Sequence, residues 1–220
     1  YALFYDIDIF FTYGNRTADD ILDLGARIDN IIPIGSFAME SSDKNRAQYP
    51  NHGEEQDDVI DVLFIGINAV TSKKTDWNGY YESIKWLANL NKNEKTLNIA
   101  IKHHPSWVPD TREFSIIKNT HIKYRKKTDD SYRVASQART IITYGSSMGY
   151  ELLGQGKNVF FIDPDGKNPF INKFVHRDKK VINNYEQFEF IIRSKNKLHN
   201  NIKRDDYCIS EEHTSSRIHE

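Results

Sequence analysis

Apolar positions along this chain fall into short unbroken runs that alternate with amphipathic stretches. IDIFFTYG (7–14) is an apolar run ended by Gly14, and TADDILDLGA (17–26) follows as a helix with acidic residues in its first turn. Thr17 with Asp20 three positions later resembles a capping box, and Gly25 lies where a helix would stop. IIPIGS (31–36) reads as a short strand or extended exit, because Pro33 removes a backbone donor and keeps its predecessor extended. Residues 36–58 carry no apolar periodicity and end in Glu54, Glu55, Asp57 and Asp58, the pattern of a linker or long surface loop. VIDVLFIG (59–66) has the β-branched and aromatic content of a buried strand. After it the two patterns take turns. YYESIKWLANL sets Tyr81, Ile84, Trp86, Leu87 and Leu90 mostly along one helical face, LNIAIKH is a strand, and SYRVASQA is a short helix opened by Asp130 or Ser131. TIITYG is a strand, SSMGYELLGQG a helix stopped by Gly154 or Gly156, NVFFID a strand and YEQFEFIIRS a further amphipathic helix.

Strands that are apolar throughout belong to a parallel sheet covered by helices on both faces. The expected fold is therefore α/β, a doubly wound parallel sheet over 59–200. A remnant β-α-β unit of a second domain (1–35) and a linker (36–58) precede it, and a tail or the start of a crossover helix (201–220) follows. At 220 residues the chain fits one large domain, or one domain with a piece of another. Because it opens on Tyr1, we read it as a fragment whose remaining upstream domain is missing.

Composition narrows the function classes. Hydrophobic residues at 38% supply a core, while 28% charged residues exclude a chain built to span a membrane. The formal charge of −1 argues against a protein whose main task is to neutralise a nucleic-acid backbone, so no nucleic-acid partner is expected. Cys208 is the single cysteine, and no Cys and His cluster has zinc-ligand spacing, so a reducing, cytoplasmic setting without a metal is expected. YALFYDIDIFF carries Asp6 and Asp8 and lacks a basic leader, which makes it neither signal peptide nor anchor.

Ligands of doubly wound sheets bind outside the carboxyl ends of the strands, so the loops after Gly66, Lys102, Tyr144 and Ile162 hold the candidate chemistry. In T-Y-G-S-S-M-G-Y-E (143–151) the chain leaves a strand through Gly145 and enters a helix at Ser146 and Ser147, presenting unpaired N–H groups and two hydroxyls to an anion. The bland alternative is that Ser147 only caps its own helix. Glu151, one turn on, is either within reach of a sugar hydroxyl pair or a helix-surface carboxylate. In I-K-H-H-P (101–105) an apolar strand delivers Lys102, His103, His104 and Pro105; the proline holds His104 extended, so one imidazole should project from the strand end. A lone histidine is more often a surface or satisfied core residue, but two such strand ends in one sheet suit a leaving phosphate. Gly145, Ser147 and Gly149 also match G-x-S-x-G literally, which keeps a hydrolase using Asp163 and His176 in view. GxGxxG and a Walker loop are both missing. The segment 173–204 has nine Lys or Arg against three Asp or Glu, including Lys179, Lys180, Lys195 and Lys197; it is a solvated surface, or a face for anionic acceptors or an anionic membrane.

IKHHP followed some forty residues later by ASQARTIITYGSSMGYELLGQGKNVFFID resembles the C-terminal half of GT-B glycosyltransferases. The resemblance is nearest to the bacterial surface-polysaccharide group of CDP-glycerol glycerophosphotransferases, Kdo transferases and polysialyltransferases, and it covers roughly 58–195. It implies a Rossmann-like GT-B C-terminal domain in which HP and SS motifs bind the donor's phosphate and a glutamate on the next helix holds the ribose. Those roles map to His104 and Pro105, to Ser146 and Ser147 after Gly145, and to Glu151, with His104 the catalytic group and Lys102 beside it. The implied reaction transfers a sugar or polyol phosphate from a nucleotide-sugar or CDP-polyol donor to a glycan or lipid-linked acceptor. No cofactor is implied, the activated donor being the substrate. The setting is cytoplasmic or peripheral at the inner face of the membrane, and the general base is placed in the missing N-terminal domain. This leaves the fragment able to bind nucleotide but not to turn over. Two other readings stay open: an isomerase like UDP-N-acetylglucosamine 2-epimerase, which also sets a serine-bearing helix terminus and a glutamate near its nucleotide, and a noncatalytic nucleotide- or glycan-binding module.

Overall fold

The computed structural model describes residues 6–23, 25–41, 59–67, 75–107, 110–168, 171, 173–194 and 203–209. The chain divides into two compact units, one of Tyr1–Gly53, Tyr150–Lys157 and Asn200–Glu220, the other of Glu54–Gly149 and Asn158–His199.

In the smaller unit, strand β1 (Asp6–Thr12) pairs in parallel with β2 (Arg27–Pro33) through helix α1 (Asn15–Asp23), and a short helix α2 (37–41) follows. Helix α1 begins two residues before Thr17, so that threonine sits inside the first turn and does not cap it. The end falls near the glycine, with Gly25 N–H on the Leu22 carbonyl at 2.8 Å. Strand β2 begins well before the IIPIGS segment, because its pairing with β1 starts at Asp6 with Arg27. Residues 203–209 belong to this unit: a 3-10 turn, Arg204–Asp206, places Asp206 3.1 Å from Arg16, and the Ile209 N–H bonds to the Tyr13 carbonyl at 2.9 Å. Of the span read as a linker, 37–41 is helical and 42–58 lies outside the described residues.

The larger unit is an α/β doubly wound sheet. Its strands are β3 (Ile60–Ile65), β4 (Ile99–Lys102), β5 (Lys123–Tyr124), β6 (Ala138–Thr143), β7 (Val159–Ile162) and β8 (Val181–Ile182). They run parallel in the order β5-β4-β3-β6-β7-β8. The helices between them are α3 (Trp77–Asn93), α4 (Thr111–Ile117), α5 (Ser131–Ser136), the first turn of α6 (Ser147–Gly154) and α7 (Lys173–Arg177), and α8 (Tyr185–Arg193) follows β8. Four of them start on a side chain suited to the task. Asp76, Asp110, Asp130 and Asn184 each accept from a backbone N–H of the turn they open.

Side chains alternate across the sheet. Val62, Phe64, Ile101, Ile142 and Phe160 face a core completed by Tyr80, Ile84, Leu87 and Leu90 of α3 and Phe188 and Ile192 of α8. Leu63, Ile141 and Phe161, also buried, point the other way, where Gly149 of α6 lies against Phe161 and Thr143. Elements α4, β5, α7 and β8 are not marked by the apolar pattern, since β5 and β8 have two residues each and α4 and α7 seven and five. Among the described residues no helix is long and apolar enough to cross a membrane.

Candidate functional site

The strand order reverses between β3 and β6, the point at which doubly wound sheets hold a ligand crevice outside the carboxyl ends of their strands. Both sequence motifs end on this rim. The turn after β4 carries His104 and the turn after β6 carries Ser146 and Ser147, and β4 and β6 are the two strands that pair with β3. At roughly 4.8 Å between neighbouring strands, the two strand ends are roughly 10 Å apart, within the reach of one nucleotide diphosphate.

The β6 turn is shaped by a hydroxyl. Gly145 has φ 118°, a conformation that favours glycine. Buried Thr143 accepts at Oγ1 from the Gly145 N–H at 3.3 Å and the Ser146 N–H at 3.0 Å. The Ser146 donor expected to face an anion is therefore already used. Among the described residues no acceptor takes the N–H of Ser147 or Met148, and the Ser147 side chain is exposed. The opening at the helix start thus lies at Ser147, with Ser146 half-buried behind it. On the opposite sheet face Tyr144 ties together the start of α3 and the loop after β7: its hydroxyl donates to the Asp76 carbonyl at 2.9 Å, and its own carbonyl accepts from the Asn168 amide. Burial, followed by Asp76, Asp163 and Asp165, pushes the Tyr144 pKa up and keeps that hydroxyl a donor.

In the β4 turn the two histidines part company. His104 is exposed, and its Nδ1 accepts from the Ser106 N–H at 3.2 Å and lies 2.5 Å from the Ser106 hydroxyl. A backbone N–H only donates, so this pattern assigns the ring hydrogen to Nε2 and makes Nε2–H the ring's outward donor. Pro105 follows in the turn closed by Trp107 N–H to the His104 carbonyl at 2.9 Å. His103 is buried instead, with Nε2 2.7 Å from Glu113 Oε1. Lys102 is buried as well, and its Nζ donates to the carbonyls of His103 and Lys127 at 3.3 Å each. Burial lowers its pKa, with Asp129 and Asp130 pulling the other way. Its ammonium thus braces two turns from the inside. The sequence-based expectation set it beside His104 as a phosphate contact.

Glu151 counts with the smaller unit and is 3% exposed. Its carboxylate lies close enough to Tyr13 and Cys208 to raise both pKa values, second to burial in each case; Cys208 is pushed up to about 12. A ribose contact would need this carboxylate to leave that surrounding. Asp163 is buried and accepts from the N–H groups of Lys167 and Asn168 at 3.1 Å, while His176 stands in the last turn of α7, which leads to the amino end of β8. Ser147 and His176 therefore occupy opposite rims, and these residues assemble no hydrolase triad.

The sequence reading missed Thr143, Ser106 and Glu113. Signals for two of them were present: T-Y-G-S has the spacing at which a threonine hydroxyl takes turn N–H groups, and D-T-R-E (110–113) has the spacing of a capping box. Asp110 does cap α4, accepting from Glu113 N–H at 2.9 Å, but the Glu113 side chain turns away to His103. Among the described residues no group of three or more His, Cys, Asp or Glu is arranged to hold a metal ion. A separate concavity of about 420 Å³, lined by Asp61, Lys95, Asn98, His121 and Lys123 among others, lies at the amino ends of β3 and β4, away from the crevice.

No protein-family profile matches the chain, and no curated protein matches it in sequence. Solved structures do. One is UDP-GlcNAc 2-epimerase from Neisseria meningitidis, crystallised bound to UDP-GlcNAc, with a TM-score of 0.62 at 13% identity. The match covers 94% of this chain and 59% of that one, so the chain spans well under two thirds of the enzyme's length. At that identity the likeness is one of fold. The six-stranded parallel sheet flanked by helices has a Rossmann-like fold, consistent with a GT-B-type domain.

Proposed function

We propose that this chain holds a nucleotide-activated donor by its phosphates at the carboxyl ends of β3, β4 and β6, and serves transfer of a glycosyl or polyol-phosphate group to a growing surface polysaccharide. The observation that carries the reading is the placement of two exposed donors, His104 and the open helix terminus at Ser147, on the strand ends that flank β3. As a general base takes the proton of the acceptor hydroxyl, the hydroxyl oxygen bonds to the transferred group, the bond to the departing phosphate breaks, and negative charge grows on that phosphate. Preset N–H donors stabilise it there more than in the ground state. His104 donates through Nε2, Ser147 through its N–H and hydroxyl, and Pro105 and Gly145 shape the two turns. Lys102 and Ser146 support the site from behind. The donor, a nucleotide sugar or CDP-polyol, is the substrate and no cofactor enters; the acceptor is a glycan or lipid-linked glycan.

A second reading, isomerisation of a nucleotide sugar, is favoured by the fold shared with an enzyme whose structure holds UDP-GlcNAc. Both readings need the same nucleotide contact, so the first experiment is a thermal-shift and calorimetric screen with CMP, CDP, UDP and GDP. The matching nucleotide at a hundred times its Kd should raise the melting temperature by roughly 5–10 °C. His104→Ala should weaken that binding about 10- to 100-fold, the worth of a hydrogen bond to a charged group. A flat screen across all four nucleotides would overturn the proposal. Incubating the matching nucleotide sugar with and without a glycan then separates transfer, which requires the glycan, from epimer formation, which does not.

A further inference from the structure

Directly behind exposed His104, the other histidine of the motif sits in a buried network that takes no part in the phosphate contact. His103 is 6% exposed and Glu113 is 0% exposed. The Glu113 carboxylate receives three groups from three parts of the fold. His103 Nε2 lies at 2.7 Å, the Tyr124 hydroxyl of β5 donates at 2.7 Å, and the Tyr80 hydroxyl of α3 donates at 3.2 Å. Burial, and after it Glu113, raises the pKa of both tyrosines, so the two hydroxyls remain donors and the third hydrogen is assigned to His103 Nε2. The other ring nitrogen, His103 Nδ1, is buried, has no hydrogen-bond partner among the described residues, and faces Gly66, where any Cβ would collide with it.

An unsatisfied buried nitrogen costs stability, and burying a carboxylate with its partner seldom beats apolar packing. Packing alone would be served better by an aliphatic side chain at 103. What the polar arrangement supplies is direction. The His103 ring is pinned by Glu113 and wedged against Trp107 and Tyr124, with ring centroids 6.1 and 5.6 Å away. The His103 carbonyl is held by Lys102, and the turn is closed from the His104 carbonyl to Trp107 N–H. Both flanks of His104 are therefore anchored while its own ring stays in solvent.

We infer that His103 and Glu113 are a positioning pair, whose buried contact fixes the 103–107 turn so that His104 already presents Nε2–H to the donor phosphate before the ligand arrives. The inference rests on the phosphate-binding reading of His104. It assigns His103 no contact with ligand; its role is to lower the ordering cost of binding.

The test uses the whole chain with ¹⁵N-labelled histidine, read by imidazole NMR, together with calorimetry using UDP, CDP, CMP and GDP as probes. In the unsubstituted chain His104 should show a single Nε2–H tautomer. Glu113→Gln should shift the His104 nitrogens toward tautomer-averaged values and weaken the best-binding nucleotide about tenfold; Tyr124→Phe should do the same to a smaller extent, about threefold. A residue that merely stabilised the fold would lower the melting temperature and leave the His104 tautomer as it was. A folded Glu113→Gln chain with unchanged His104 shifts and unchanged affinity overturns the inference. Should Glu113→Gln fail to fold, Tyr124→Phe decides by the same two readouts. If none of the four nucleotides binds the unsubstituted chain, the phosphate reading fails, and the His104 shifts in the variants still judge the positioning pair.

Discussion

Strands β1 and β3 are written in nearly the same alphabet, DIDIFFT and IDVLFI, and meet opposite fates. In β3 every residue but Asp61 is buried, with Leu63 and Phe64 at 0% exposure. In β1 Ile9 is 52% and Phe11 43% exposed. The difference lies in the neighbours. Strand β3 has β4 and β6 on its two sides and helices on both faces, whereas among the described residues β1 pairs with β2 alone and α1 buries none of its residues. Apolar content provides the drive for burial, and the surrounding elements decide whether it is satisfied. The candidate site stands on the strands for which it is satisfied, which suits a task that needs fixed donors.

The largest expected contrast is between two phenylalanines. Phe64→Ala should cost about 3–5 kcal/mol in urea unfolding, while Phe11→Ala should cost under about 1 kcal/mol. Equal losses would break the comparison. Next comes Gly149→Ala. A Cβ there would lie 2.9 Å from both Phe161 Cζ and Thr143 Cγ2, and overpacking of this kind costs about 1–3 kcal/mol. Because Thr143 shapes the Ser147 turn, nucleotide binding should weaken along with stability; lost stability at full affinity would separate the core from the site.

A smaller effect compares the two units by pH. Burial and the hydrogen bond to Asp110 push Tyr81 from 10.0 to about 12, and burial with Glu151 and Asp205 pushes Cys208 from 9.0 to about 12. Both groups keep their proton more tightly when folded. Their contribution is therefore complete below pH 9 for Cys208 and pH 10 for Tyr81, and is lost as pH rises toward about 12. Urea midpoints measured between those limits should fall more gently in Cys208→Ala and in Tyr81→Phe than in the unsubstituted chain. Parallel slopes would show that neither group is held as described.

The four central strands were legible because they are apolar and rich in β-branched or aromatic residues. TIITYG and NVFFID could hardly be anything else once helices lay between them. Elements α4 and β5 were not, since a two-residue strand carries no period and its assignment depends on pairing with β4. Within the site, the order strand, turn, helix put Ser147 and His104 on one rim from local pattern alone. What Lys102 and Glu113 do was out of reach, because a charged residue at a strand end or in the first turn of a helix reads as exposed until the fold is seen to bury it and supply its partners.

By itself, then, the sequence determined where the central strands and the longer helices of the larger unit lie, that those strands run parallel, and therefore which ends of them face a ligand. All of this follows from side-chain period, glycine and proline stops, and the handed connection of strand to helix to strand. The division of labour between His103 and His104 was settled only by tertiary structure. Two identical side chains in succession point to opposite sides of an extended chain, and only the packing of α4, β5 and Gly66 against one of them leaves it inside with Glu113 and its neighbour outside with Ser106.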